Sequence, residues 1–83
     1  MMDIEVKLHG TLRRHRPADI PGAPHHPFPL TVVSNMTLHD LAAQLGIADG
    51  LINAAAVNGD AVDLTTVLQD GNIVHFFPPS AGG

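Results

Sequence analysis

The stretch Asp70-Gly71-Asn72-Ile73-Val74-His75-Phe76-Phe77-Pro78-Pro79 constrains this chain more than any other. Asp-Gly is a turn signal, because glycine supplies the positive φ that other residues resist. Asn72 to Phe77 is then a β-branched and aromatic run bounded by turn residues and proline, the pattern of a strand. Pro78 and Pro79 carry no N–H for a sheet ladder, so the strand stops there. Ser80-Ala81-Gly82-Gly83 has nothing large to bury. The reading is a folded domain over 1–79 and a mobile tail over 80–83 that presents the Gly83 carboxylate.

Upstream, the apolar periods alternate between strand and helix. Asp3 to Leu8 places Ile4, Val6 and Leu8 on one face and Asp3, Glu5 and Lys7 on the other, a half-buried first strand. Pro17 to Pro29 holds five of the seven prolines and reads as an extended, stiffened loop, neither helix nor central strand. A second strand is expected over 28–34, with Leu30 and Val32 on one face and Thr31 and Val33 on the other, in an antiparallel hairpin with the first. Thr37 caps a helix with Asp40 three residues on, and Leu38, Leu41, Ala42 and Leu45 give it one apolar face. Gly46 stands where a left-handed C-cap is wanted. Residues 47–53 read as a loop with a short helical turn. Ala54 to Val57 is a third strand, Asn58-Gly59 a hairpin turn, and Ala61-Val62 a short return strand. The pattern is α+β: a mostly antiparallel sheet with one packed helix and the first and last strands as central neighbours.

The same residues exclude much chemistry. There is no cysteine, so thiolate metal sites, disulfides and thiol nucleophiles are ruled out. No nucleotide-binding glycine loop occurs. The six histidines are scattered, and His25-His26, neighbours in an extended chain whose side chains point apart, read as a surface pair and not a metal site. A net charge of −4 argues against general nucleic-acid binding. Arg13, Arg14 and Arg16 hold three of the four basic side chains, and form either a docking patch for phosphate or an acidic partner, or a solvated turn. No apolar run approaches the length of a membrane span and no signal peptide is evident, so a cytoplasmic protein is expected. Nothing reads as an active site of the chain's own.

The turn Asp70-Gly71, the segment Phe76-Phe77-Pro78-Pro79, the terminal Gly82-Gly83 and the earlier Ala56-Val57-Asn58-Gly59 resemble the MoaD/ThiS family of ubiquitin-like sulfur carriers. The likeness is greatest to its branch that forms the small subunit of molybdopterin synthase. It spans nearly the whole chain, with 17–27 the clearest departure; Asn72 stands at a turn edge where many relatives have an acidic residue. The resemblance implies a ubiquitin-like β-grasp fold, a mixed four- to five-stranded sheet with the first and last strands parallel. It also implies a carrier, not an enzyme, with no bound cofactor. A partner adenylating enzyme, similar to ubiquitin-activating enzymes, would use ATP and magnesium on Gly83. The resulting thiocarboxylate would deliver sulfur to a pterin precursor held by a large synthase subunit. Gly82 and Gly83 suit such a channel because they lack a Cβ. Thiazole synthesis, and a ubiquitin-like modifier or binding module, are the alternatives. On the last strand Val74 and Phe76 are read as core. Ile73 and Phe77, with Pro78, Pro79, Ser80 and Ala81, are the expected partner-facing residues; Phe77 is equally readable as tucked against its own domain.

Overall fold

Residues 1–79 are described by the structure, a computed structural model. Alternation decides the first element: β1, Met2–Leu8, buries Met2, Ile4, Val6 and Leu8 and turns Asp3 and Glu5 to water. β2 follows at Phe28–Val32, helix α1 at Leu38–Gln44, then β3 at Ala54–Val57, β4 at Asp60–Val62 and β5 at Ile73–Phe77. The five strands form one sheet in the order β2-β1-β5-β3-β4. β1 and β5 run parallel at its centre, Glu5 opposite Ile73 and Leu8 opposite Phe76; every other pairing is antiparallel. This is the β-grasp arrangement that the resemblance implies.

One face of the sheet is covered. Leu38, Leu41 and Ala42 of α1 are buried with Val6, Leu8, Val74 and Phe76 in a core closed by Leu12, Phe28, Ile47 and Leu68. The helix starts as its sequence requires. The Asp40 N–H donates to Thr37 Oγ1 and the Thr37 N–H to Asp40 Oδ2, both at 3.1 Å, completing the capping box. These bonds hold the Asp40 carboxyl below the usual carboxylate range. The hairpin turn carries Asn58 and Gly59 at φ 52° and 90°, the left-handed pair that a tight β3–β4 connection needs.

Three local differences from the sequence reading have physical reasons. The proline-rich loop ends before Phe28, since Phe28 and Pro29 already pair with Val6 and Glu5. β2 is an edge strand, where a residue without an N–H is tolerated. It stops at Val32, and not at Ser34, as the chain turns through Asn35 at φ 67° and leaves Val33 exposed. Finally, Gly10–His15 forms a 3-10 helix whose Leu12 is buried, an element that a six-residue segment with one apolar anchor does not announce.

Candidate functional site

β5 sits at the centre of the sheet, and alternation sends its side chains to two environments. Val74 and Phe76 are fully buried beneath α1, as expected of them. Ile73, His75 and Phe77 emerge on the face that α1 does not cover, beside Lys7 of β1 and Ala54 and Ala56 of β3. Ile73 is 43% exposed, while His75 and Phe77 are half-buried. Phe77 is neither free nor part of the core: the His9 ring stacks on it at 4.3 Å between centroids, nearly parallel. His9 Nε2 also lies 2.8 Å from His75 Nδ1, so one ring donates a hydrogen bond to the other.

This imidazole pair is the feature that sequence reading missed. The two histidines are 66 positions apart, and only the parallel register of β1 and β5 brings them together. Burial, with His75, Lys7 and Arg13 nearby, pushes the His9 imidazole below its ordinary value. At neutral pH His9 is therefore an uncharged ring, and the surface around Phe77 is more apolar than its composition suggests. Among the described residues no three His, Asp or Glu side chains converge as metal ligands. His25 and His26 do not point apart: the loop turns back at Ala23, whose carbonyl accepts from the His26 N–H, and the two rings meet edge-on at 4.4 Å.

Past Phe77, Pro78 and Pro79 leave the sheet. The exit is shaped by Gly10, at φ 55°, where a Cβ would stand 2.8 Å from Pro78 Cγ. Only glycine allows that approach. The entry to β5 is held as well. The Gly71 N–H donates to the Asp3 carbonyl at 2.8 Å, and the Asp3 N–H to Asp70 Oδ1 at 2.8 Å. Asn72 is not a passive turn edge: it is buried, and its Oδ1 accepts the Gln69 N–H at 2.7 Å. An aspartate there would supply the same acceptor. Ser80, Ala81, Gly82 and Gly83, the tail of the sequence reading, lie outside the described residues. No described helix is long and apolar enough to cross a membrane.

A family model described as ThiS family matches residues 28–83, which includes α1, β5 and Gly82-Gly83. No curated protein matches the chain. Among solved structures, SAMP1 from Haloferax volcanii is 23% identical with a TM-score of 0.66, covering 98% of this chain and 99% of that one. A candidate molybdopterin converting factor subunit 1 from Pyrococcus furiosus is 20% identical with a TM-score of 0.67, covering 95% and 99%. At those identities the likeness is one of fold. A chain of the protein–protein complex of subunits 1 and 2 of the molybdopterin-converting factor from Helicobacter pylori 26695 is among the similar structures. That match is 27% identical with a TM-score of 0.58 and covers 99% of this chain and 100% of that one.

Proposed function

The chain belongs to the ThiS family, and from that premise we propose that it is a sulfur carrier for molybdopterin synthesis, acting through the Gly83 carboxylate. The observation that carries the reading is the coupling of a braced last strand to its exit. β5 is fixed at both ends, by the Asp3–Asp70–Gly71 hydrogen bonds and by Gly10 against Pro78, and its open face carries Ile73, His75 and Phe77. A partner seated on that face would find Pro78-Pro79 leading away in one direction, so that the ordering cost of guiding Ser80 to Gly83 into a second site falls on four residues.

In this reading the Gly83 carboxylate attacks the α-phosphate of ATP in a separate adenylating enzyme, releasing pyrophosphate and forming the acyl-adenylate. A persulfide's outer sulfur attacks the acyl carbon and AMP leaves. A thiol then attacks the enzyme-side sulfur of the resulting acyl disulfide, ending in a disulfide with it and leaving the thiocarboxylate on Gly83. Beyond that carboxylate the chain's role is to dock and present, and with no cysteine it offers no thiol to carry the sulfur. ATP and magnesium belong to the activating partner. The large synthase subunit is the second partner, a reading supported by the Helicobacter pylori complex of subunits 1 and 2. In this reading the chain works in the cytoplasm.

Intact-protein mass spectrometry after incubation with an adenylating enzyme, ATP, magnesium and a persulfide donor tests this. Exchange of one oxygen for sulfur, mapped to Gly83, is the expected result; an unchanged mass with an enzyme proven active on another carrier overturns it. The likeness to SAMP1, a small archaeal modifier protein, favours a second reading as a ubiquitin-like modifier. Isopeptide adducts between Gly83 and lysines in a lysate would establish that one. Delivery of the sulfur to thiazole synthesis is told apart by which acceptor removes it.

A further inference from the structure

We propose that the cleft between the 3-10 helix and the proline-rich loop is a binding site for a phosphate-class oxyanion, a property independent of the tail chemistry above. Arg13, Arg14 and Arg16 line one cavity of about 220 Å³, together with Pro17, Ile20 and Pro24. They are three of the four Lys and Arg side chains of a chain whose net charge is −4. No carboxylate lines the cavity, and among the described residues none of the three arginines makes an ion pair. Like charges gathered in one concavity repel each other, and the low-dielectric wall concentrates their field. A bound anion relieves that repulsion.

The backbone sets up the convergence. In a 3-10 helix residues three apart eclipse, so Arg13 and the C-capping Arg16 share a face. Arg16 is already immobile: its guanidinium donates to the carbonyls of Ile20 and Pro21, reaches toward that of His26, and lies 5.4 Å from the Phe28 ring centroid. Its conformational entropy is spent on the fold and not on a ligand. Arg13 and Arg14 also line the cavity and are exposed. Pro17 and Pro24 fix their own φ, which keeps the wall from collapsing. Planar guanidinium forks match phosphate oxygens two at a time, as ammonium groups do not.

Volume decides the size of the ligand. About 220 Å³ falls short of the roughly 300–1,000 Å³ that organic ligands occupy. The cavity suits inorganic phosphate, pyrophosphate, or the phosphate group of a nucleotide whose remainder stays outside. The shared chemistry is the tetrahedral, multiply charged phosphoryl group.

The test is an amide and arginine Nε–H NMR titration of the full chain with phosphate, pyrophosphate and AMP, each at constant ionic strength. The expected result is saturable shifts confined to residues 13–24. Substituting both exposed arginines, Arg13→Ala with Arg14→Ala, should weaken binding about tenfold or more, as expected from losing charge-assisted hydrogen bonds. The pair Arg13→Lys with Arg14→Lys should lose part of the affinity, because charge remains without the fork. Saturation by phosphate or pyrophosphate but not AMP identifies a free anion; tighter saturation by AMP identifies a nucleotide phosphate. Shifts that are linear in concentration, spread over the surface, or unchanged in the double alanine variant overturn the site. So does a response to an acidic peptide with none to the three anions, which would make the patch a protein contact.

Discussion

His9 Nε2 and His75 Nδ1 stand 2.8 Å apart on the open face of the sheet, joined across the two central parallel strands. One proton between them satisfies both facing nitrogens; protonating His9 turns a partly buried ring into an imidazolium, which Lys7 and Arg13 repel.

The pair makes stability depend on pH in a definite direction. The folded His9 binds its proton less tightly than the unfolded one, whose value is near the ordinary 6.5 or so. In the interval between the two values the unfolded chain holds more protons, so stability rises with pH across it. The contribution is complete above about 6.5 and is lost as pH falls through the lowered folded value. Thermal midpoints followed from neutral to mildly acidic pH should fall on acidification, and the fall should shrink in His9→Gln. An undiminished slope in that variant would assign the effect to other groups.

Gly10 and Pro78 offer a steric handle on the exit from the sheet. A methyl group at Gly10 meets Pro78 Cγ at 2.8 Å, on a backbone already at φ 55°. Gly10→Ala should destabilise the chain by about 1–2 kcal/mol from the left-handed backbone alone. It should also push Pro78 outward and slow sulfur loading of Gly83 by more than the loss of folded protein accounts for. Denaturant unfolding and loading rates on the same sample separate the two effects. Loading that tracks the folded fraction alone would show that the direction of the exit is unimportant.

Adjacent phenylalanines should behave oppositely. Phe76 is fully buried, and Phe76→Ala is expected to cost about 3–5 kcal/mol, much of the roughly 5–15 kcal/mol available to a small domain. Phe77 instead stacks on His9 at the open face, so Phe77→Ala should remove about 0.5–1.5 kcal/mol of ring pairing. Its larger effect should be on affinity for the synthase large subunit, read by calorimetry. Equal stability losses in the two variants would contradict the alternation of β5.

Which parts of this were legible beforehand follows from the range of the interactions involved. The Thr37–Asp40 capping box, the apolar stripe of α1 and the Asn58-Gly59 turn are satisfied within a few residues, so the sequence displays them directly. Val74 and Phe76 were legible as core because strand alternation is also local. The His9–His75 pair was hidden, since it exists only once β1 and β5 adopt their register. Asn72 looked like a turn residue because its buried bond to Gln69 depends on how tightly that turn closes. Arg16 was hidden among a run of charges, for its partners are the carbonyls of a loop whose path the prolines alone do not specify.

Arg16 therefore carries a prediction that separates it from its neighbours. Its side chain links the 3-10 helix to Ile20 and Pro21 and lies against Phe28 at the start of β2. Removing it leaves loop carbonyls without their charged donor, at about 1.5–3 kcal/mol for a hydrogen bond to a charged group. Arg16→Ala should lower the unfolding midpoint and raise amide exchange and proteolysis across residues 17–27. Arg13→Ala and Arg14→Ala are exposed and should stay within about 0.5 kcal/mol of the parent. Arg16→Lys discriminates charge from geometry. One ammonium cannot serve the carbonyls of Ile20 and Pro21 in the fixed fork of a guanidinium, so it should restore only part of the loss. Full rescue by lysine would mean that the loop needs a positive charge and not that fork.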